Sequence, residues 1–201
     1  MYSRYNHKEK VQSIYCYPQT EVYINHFEIM DSETLIELEA DLTSIRLSEL
    51  CLNAKNGRFG VTHLKNIHKY IFQDLYPFAG KIRVEDISKG NTQFCLCQYI
   101  EANLENVLGK LKREHFLLDS SREAFIKQIA YYMSELNVIH PFREGNGRTI
   151  REFVRQLALK NGYEINWYKI DSNALLKATI LAVDFDLSLL EDCISQAIEA
   201  E

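Results

Sequence analysis

The chain has 201 residues, 46% hydrophobic and 25% charged, which is enough to bury one full core and too little to imply two domains. A net charge of -5, with Lys and Arg dispersed outside one short stretch, excludes the basic footprint of a nucleic-acid binder. No apolar run approaches the ~18 residues of a membrane span and no charged-then-apolar leader is present, so a cytoplasmic location is expected, with delivery as an effector left open.

In chain order, residues 1–30 are rich in Tyr and polar residues and show no steady period, predicting an arm packed on the body. Residues 31–201 are expected to form a single all-α domain, a helical bundle with one short β-hairpin. Leu35, Leu38, Leu42, Ile45 and Leu50 mark a long amphipathic helix from Asp31 or Ser32, broken by Asn56-Gly57 and Gly60. Leu64, Ile67 and Ile71 predict a second helix, stopped before Pro77. Lys81 to Ile87 alternates polar and apolar residues, Ser88-Lys-Gly-Asn91 supplies a turn, and Thr92-Gln-Phe-Cys95 returns, predicting a hairpin. Ile100, Leu104, Leu108 and Leu111 make a third helix. Ser120-Ser-Arg-Glu123 reads as a capping box, and Phe125, Ile129, Met133 and Leu136 carry the next helix up to His140. Phe153, Val154, Leu157 and Ala158 predict a helix beginning near Arg148 and ending at Asn161-Gly162. Helices near 173–182 and 187–199 complete the chain. The five cysteines are odd in number and match no zinc spacing, so reduced thiols are expected, and His63 and His68 are too far apart on a helix face to be read as metal ligands.

The most informative stretch is His140-Pro-Phe-Arg-Glu-Gly-Asn-Gly-Arg148, followed by Arg151. Gly145 and Gly147 flank Asn146, and positive φ at such glycines lets successive N–H groups converge on one anion. A helix starting just beyond adds its unpaired N–H groups and the positive end of its dipole, which favours phosphate. Arg148 and Arg151 lie three apart on one helix face and can grip outer phosphates. Glu144 is placed to hold Mg²⁺, which needs only one or two carboxylates beside phosphate oxygens. Pro141 disfavours helical geometry at His140, leaving its imidazole at a helix end, free to act as a base with an ordinary pKa near ~6.5.

These residues resemble, position for position, the Fic motif His-x-Phe-x-Asp/Glu-Gly-Asn-Gly-Arg-x-x-Arg. Tyr76-Pro-Phe-Ala-Gly-Lys-Ile-Arg83 and Asp86-Ile-Ser-Lys-Gly-Asn-Thr-Gln-Phe94 are similar to the segment entering the Fic flap. The whole chain resembles the stand-alone bacterial cell-filamentation type. That resemblance implies transfer of AMP from ATP to a Tyr, Thr or Ser hydroxyl of a target protein, with release of pyrophosphate. It implies His140 as general base, Glu144 as the Mg²⁺ ligand, and Gly145, Asn146 and Gly147 as an anion hole. Arg148 and Arg151 take the β- and γ-phosphates, and Phe142 anchors the loop. Ser88, Lys89 and Gly90 belong to a flap that registers the target's extended backbone.

Many Fic proteins carry an inhibitory Ser/Thr-x-x-x-Glu-Gly/Asn helix whose glutamate meets the second motif arginine, here Arg151. Asp31 to Glu39 lacks that spacing, and Ser195-Gln-Ala-Ile-Glu199 has it but is followed by Ala200. Inhibition is therefore expected from a separate small antitoxin-like protein that supplies a Glu to Arg151. Two other readings stand beside AMP transfer. One is a Doc-like kinase, against which Gly147 argues because that branch carries Lys there. The other is a non-catalytic nucleotide-binding regulator, against which the complete motif argues.

Overall fold

The computed structural model describes residues 12–53, 57–89 and 92–200; the first eleven residues of the arm, the predicted breaker Asn56, and Gly90 and Asn91 of the predicted turn lie outside them. Residues 12–30 form no helix. A single bridge pairs Cys16 with Tyr23, and the His26 N–H donates to Leu75 O at 2.9 Å, fastening this segment to the body.

Helix α1 spans Ser32–Leu52, with Asp31 as its cap: the Asp31 carboxylate accepts from Thr34 N at 2.8 Å. Its predicted stripe is only partly used. Leu35 and Leu50 are buried, but Ile45 is 57% exposed, because α1 packs mainly along one neighbour, α2 (Val61–Phe72). Helix α2 buries Leu64, Ile67 and Ile71 as their spacing predicts, and His63 and His68 with them.

The hairpin is present but short. Strand β1 (Ser88–Lys89) pairs antiparallel with β2 (Thr92–Gln93), Ser88 opposite Gln93. Two residues predicted as turn are strand, while 81–87, predicted as strand, is not: the Arg83 N–H there donates to Pro141 O at 2.9 Å instead of to a ladder.

Helices α3 (Ile100–Arg113), α4 (Arg122–Ile139) and α5 (Asn146–Lys160) come next. The cap of α4 is Ser121, which accepts from Ala124 N at 3.3 Å, one residue after the predicted Ser120. Phe125, Ile129, Met133 and Leu136 on α4, and Phe153, Val154, Leu157 and Ala158 on α5, fill the centre of the core, with α2, α3 and α7 packed around this pair.

The C-terminal part departs from expectation. Strand β3 (Tyr163–Ile165) precedes α6 (Ser172–Leu181) and α7 (Ser188–Ala197), and β4 (Ile198–Ala200) returns antiparallel to β3, with Glu164 opposite Glu199. Helix α7 thus ends two residues before the predicted 199, since Asn166 N donates to the Ala197 carbonyl at 3.0 Å and β3 captures residues 198–200 as a strand. No helix among the described residues is long and apolar enough to cross a membrane.

Candidate functional site

Helix α4 stops at His140 because that residue is left-handed, φ 48 and ψ 62, with its N–H still bonded to Leu136 O at 3.0 Å. Pro141 then carries the chain out of the helix. His140 Nδ1 lies 3.1 Å from Asn137 O. A carbonyl only accepts, so Nδ1 carries the proton and Nε2 keeps its lone pair. The ring stacks on Phe94, centroids 3.8 Å apart and planes 15° from parallel. Burial, with a smaller contribution from the Arg83 and Lys89 cations, pushes the His140 pKa down to about 4. The expectation of an ordinary value is corrected: this imidazole is neutral throughout the physiological range.

The loop between α4 and α5 closes on itself. Phe142 is fully buried and stacks on His68, centroids 3.9 Å apart. The His68 Nδ1 accepts from Gly80 N at 2.7 Å, which leaves Nε2–H to donate to Glu144 O at 3.0 Å. Burial holds this ring neutral as well, at about 4. Asn146 is 2% exposed, and its amide bonds both the N–H and the carbonyl of Phe142 at 2.8 Å. Its side chain is therefore spent on the loop, and only its backbone N–H is available to an anion.

Gly145 caps α5 with φ 77, while Gly147 is helical rather than left-handed. The helix begins at Asn146, two residues earlier than predicted, because Gly145 alone supplies the sharp turn. The N–H of Thr149 makes the first helical bond, to Gly145 O at 3.0 Å, so those of Asn146, Gly147 and Arg148 have no helical partner. A Cβ at Gly145 would sit 2.1 Å from the Phe72 ring, whereas one at Gly60 would meet nothing within 4 Å. Gly145→Ala is expected to cost about 2 kcal/mol or more through strain and overlap, and Gly60→Ala to stay within about 1 kcal/mol, compared by urea unfolding.

The two arginines are not equivalent. Arg148 donates to Glu39 Oε1 at 2.5 Å and to Thr43 Oγ1 at 3.2 Å, lies over the Phe72 ring, and stands 3.6 Å from Glu144 Oε1. Glu39 also accepts from the Tyr76 hydroxyl. Arg151, half-buried, has no carboxylate partner among the described residues, and burial beside Arg148 pushes its pKa down. Glu144 Oε1 accepts from Gly145 N at 2.8 Å, while Oε2 faces no bonded donor among the described residues.

A cavity of about 880 Å³ is lined by His140, Glu144, Asn146, Gly147, Arg148 and Arg151, with Ser88 and Lys89 of the hairpin at its rim. Eight of the residues singled out in sequence thus meet on one space. Gly145 lies beneath it as the helix cap, and Gly90 falls outside the described residues. The remaining wall includes Met133, Ile150, Trp167 and Leu175. The Ser195–Glu199 segment is not an inhibitory helix: α7 ends between these residues, and the Glu199 carboxylate is taken by Lys169 Nζ. Sequence reasoning assigned no role at the site to His68, Glu39, Phe94 and Arg83, which reach it from distant segments; Arg83 and Phe94 do end the two stretches that resemble the flap entry, and that resemblance is the signal that pointed toward them.

The Fic/DOC family model matches residues 58–158. The y4lH protein of Sinorhizobium fredii, named "probable protein adenylyltransferase", is 36% identical over 188 residues, covering 93% of this chain and 95% of that protein. Fic of Escherichia coli, named likewise, is 32% identical and covers 92% and 91%. The protein adenylyltransferase VbhT of Bartonella schoenbuchensis is 40% identical over 166 residues, 83% of this chain but only 35% of VbhT. In three dimensions the chain is similar to the Fic domain of a Bartonella quintana effector with bound ADP, with a TM-score of 0.87 at 24% identity over 93% of this chain and 95% of that one. Bartonella tribocorum BepC with bound AMPPNP gives 0.88 at 21% identity over 93% and 97%. These structural likenesses speak to the fold.

Proposed function

The chain belongs to the Fic/DOC family, and from that membership we propose that it is a protein adenylyltransferase, moving AMP from ATP to a Tyr, Thr or Ser hydroxyl of a target protein with release of pyrophosphate. The observation that carries this reading is the pairing, on one cavity, of a neutral His140 with a free Nε2 and an Arg151 that lacks a carboxylate among the described residues, beside a helix start whose first N–H groups have no helical partner.

In this reading the triphosphate lies against the N–H groups of Asn146, Gly147 and Arg148 and the guanidinium of Arg151. The nucleoside takes the more apolar wall of Met133, Ile150 and Leu175. Arg148, already held by Glu39, contributes charge and closes the loop side. Among the described residues no three His, Cys, Asp or Glu side chains cluster as a metal cage. One partly exposed carboxylate with an uncommitted oxygen, Glu144, suits Mg²⁺, which takes most of its remaining ligands from phosphate and water. When bound, Mg²⁺ would neutralise phosphate charge. The target backbone runs along the hairpin rim at Ser88 and Lys89.

His140 Nε2 removes the hydroxyl proton as the target oxygen bonds to the α-phosphorus and the bond to the bridging oxygen of pyrophosphate breaks. The helix N-terminus and Arg151 meet the charge that develops on the departing pyrophosphate. A separate small antitoxin-like protein would inhibit by setting a glutamate against Arg151, the same cation the γ-phosphate needs. Supplying the purified operon neighbour should then raise the apparent KM for ATP, and an unchanged KM would count against that partner.

Parallel incubations with α-labelled and γ-labelled ATP, Mg²⁺ and cell lysate test the activity. Label from the α position alone is expected on protein; label from the γ position would instead mark a Doc-like kinase.

The lowered His140 pKa makes a further prediction. Its folded value lies below the unfolded one, so the stability tied to the neutral ring is whole above pH ~6.5 and is lost as pH falls toward about 4. An NMR titration of the nucleotide-free chain should place the ring's midpoint well below ~6.5. A midpoint at or above that value contradicts the buried, Phe94-covered geometry.

A further inference from the structure

Arg83 is the largest fully buried side chain among the described residues, 1% exposed, and no carboxylate there bonds to it; Asp86 acts on its charge only through space. All its bonds go to main-chain carbonyls. Nε donates to His140 O at 2.8 Å, Nη1 to Glu85 O at 2.6 Å, and Nη2 to Cys95 O at 2.5 Å and Ile139 O at 3.3 Å. Its own N–H donates to Pro141 O at 2.9 Å.

Burying a cation without a bonded carboxylate is costly, and burial pushes the Arg83 pKa down despite the attraction of Asp86. Two features offset that cost. The Ile139 and His140 carbonyls end α4, where helix carbonyls lack partners and the dipole is negative. The rigid guanidinium fork then meets three separate segments at once, which no apolar side chain of similar volume can do. Those segments are the end of α4, the stretch entering the hairpin at Glu85, and the stretch leaving it at Cys95. Cys95 also donates its N–H to Val138 O at 3.1 Å, and the residue before it, Phe94, covers the His140 ring.

We propose that Arg83 is a positioning residue for the transfer reaction: by tying both legs of the hairpin to the His140 and Pro141 carbonyls, it fixes the gap in which the target hydroxyl meets Nε2. This rests on the adenylyl-transfer reading above. Arg83 touches no reacting atom. It holds His140 in its left-handed backbone conformation from one side and sets Phe94 against the ring from the other. Nucleotide contacts on α5 are made by other residues, so loss of Arg83 separates target transfer from ATP binding.

The test uses the full chain and its Arg83→Lys variant, which keeps charge but loses the fork. Incorporation of α-label from ATP into lysate protein should fall about 100-fold while ATP affinity in Mg²⁺ stays within about threefold. Hydrogen exchange at the Phe94 and Cys95 amides should quicken about 10-fold, with the α4 amides from Ile129 to Leu136 unchanged. Incorporation within about threefold of wild type, or ATP affinity falling in step with transfer, overturns the proposal. Arg83→Gln, which keeps one planar donor group, is judged by the same criteria if the lysine variant does not fold. In the wild-type chain, the amides of Arg83, Phe94, Cys95 and His140 should open as one cooperative unit, and independent opening also overturns it. A wild-type chain that incorporates no label refutes adenylyl transfer, while exchange still decides the role of Arg83.

Discussion

His140→Ala is expected to slow AMP transfer by about 10²–10⁴-fold while leaving ATP affinity nearly unchanged, since a general base acts on the rate of proton removal and not on nucleotide binding. The structure sharpens the basis for this. Nδ1–H is committed to Asn137 O, so Nε2 is the only ring atom with a lone pair to offer, and burial keeps the ring neutral. Substitution removes the base and the ring that Phe94 stacks on, but no group that faces the helix N-terminus of α5. Single-turnover transfer and equilibrium binding of ATP, measured on the same preparation, check the split. Equal loss in both would mean that His140 also holds the nucleotide.

Arg151→Ala should show the opposite pattern, raising the KM for ATP by about 10- to 100-fold through loss of a charge-assisted bond to phosphate. The contrast with Arg148 is specific to this chain. Arg148 is already bound to Glu39 and Thr43, so its removal exposes Glu39 and Tyr76 as well as the cavity, and both stability and binding should fall. Arg151 holds no acid among the described residues, so its loss should leave the thermal midpoint near that of wild type. Arg151→Lys keeps the charge without the fork and should recover only part of the affinity. If Arg151→Ala instead lowers kcat at unchanged KM, the arginine acts only in the transition state and the assignment to ground-state binding is wrong.

Much of the molecule was readable from local pattern, and the failures share one cause. Leu64, Ile67 and Ile71 on α2, and Phe125, Ile129, Met133 and Leu136 on α4, lie where a 3.6-residue period puts them, because those helices bury a whole face. Helix α1 has the same pattern yet exposes Ile45, since it has little of the body to lie against. Strands of two and three residues leave too short an alternation to read, which is why no pattern marks β3 and β4 and the helical period of α7 runs on into residues that are strand. At the candidate site, the glycine-rich loop and its flanking base and cations announce themselves within twelve positions. Their surroundings do not. Glu39 lies 109 residues before Arg148 and Arg83 lies 57 before His140, and no local spacing encodes such pairs. The depressed pKa of His140 is equally tertiary, for it depends on Phe94 arriving from the hairpin to exclude water.

A crystal structure of the chain with a non-hydrolysable ATP analogue and Mg²⁺ tests the central claim most directly. The account predicts the α-phosphorus beside His140 Nε2, the outer phosphates against the α5 N-terminus and Arg151, and the metal on Glu144. An analogue lying elsewhere in the cavity, with Arg151 unengaged and the imidazole turned from the α-phosphorus, would contradict it.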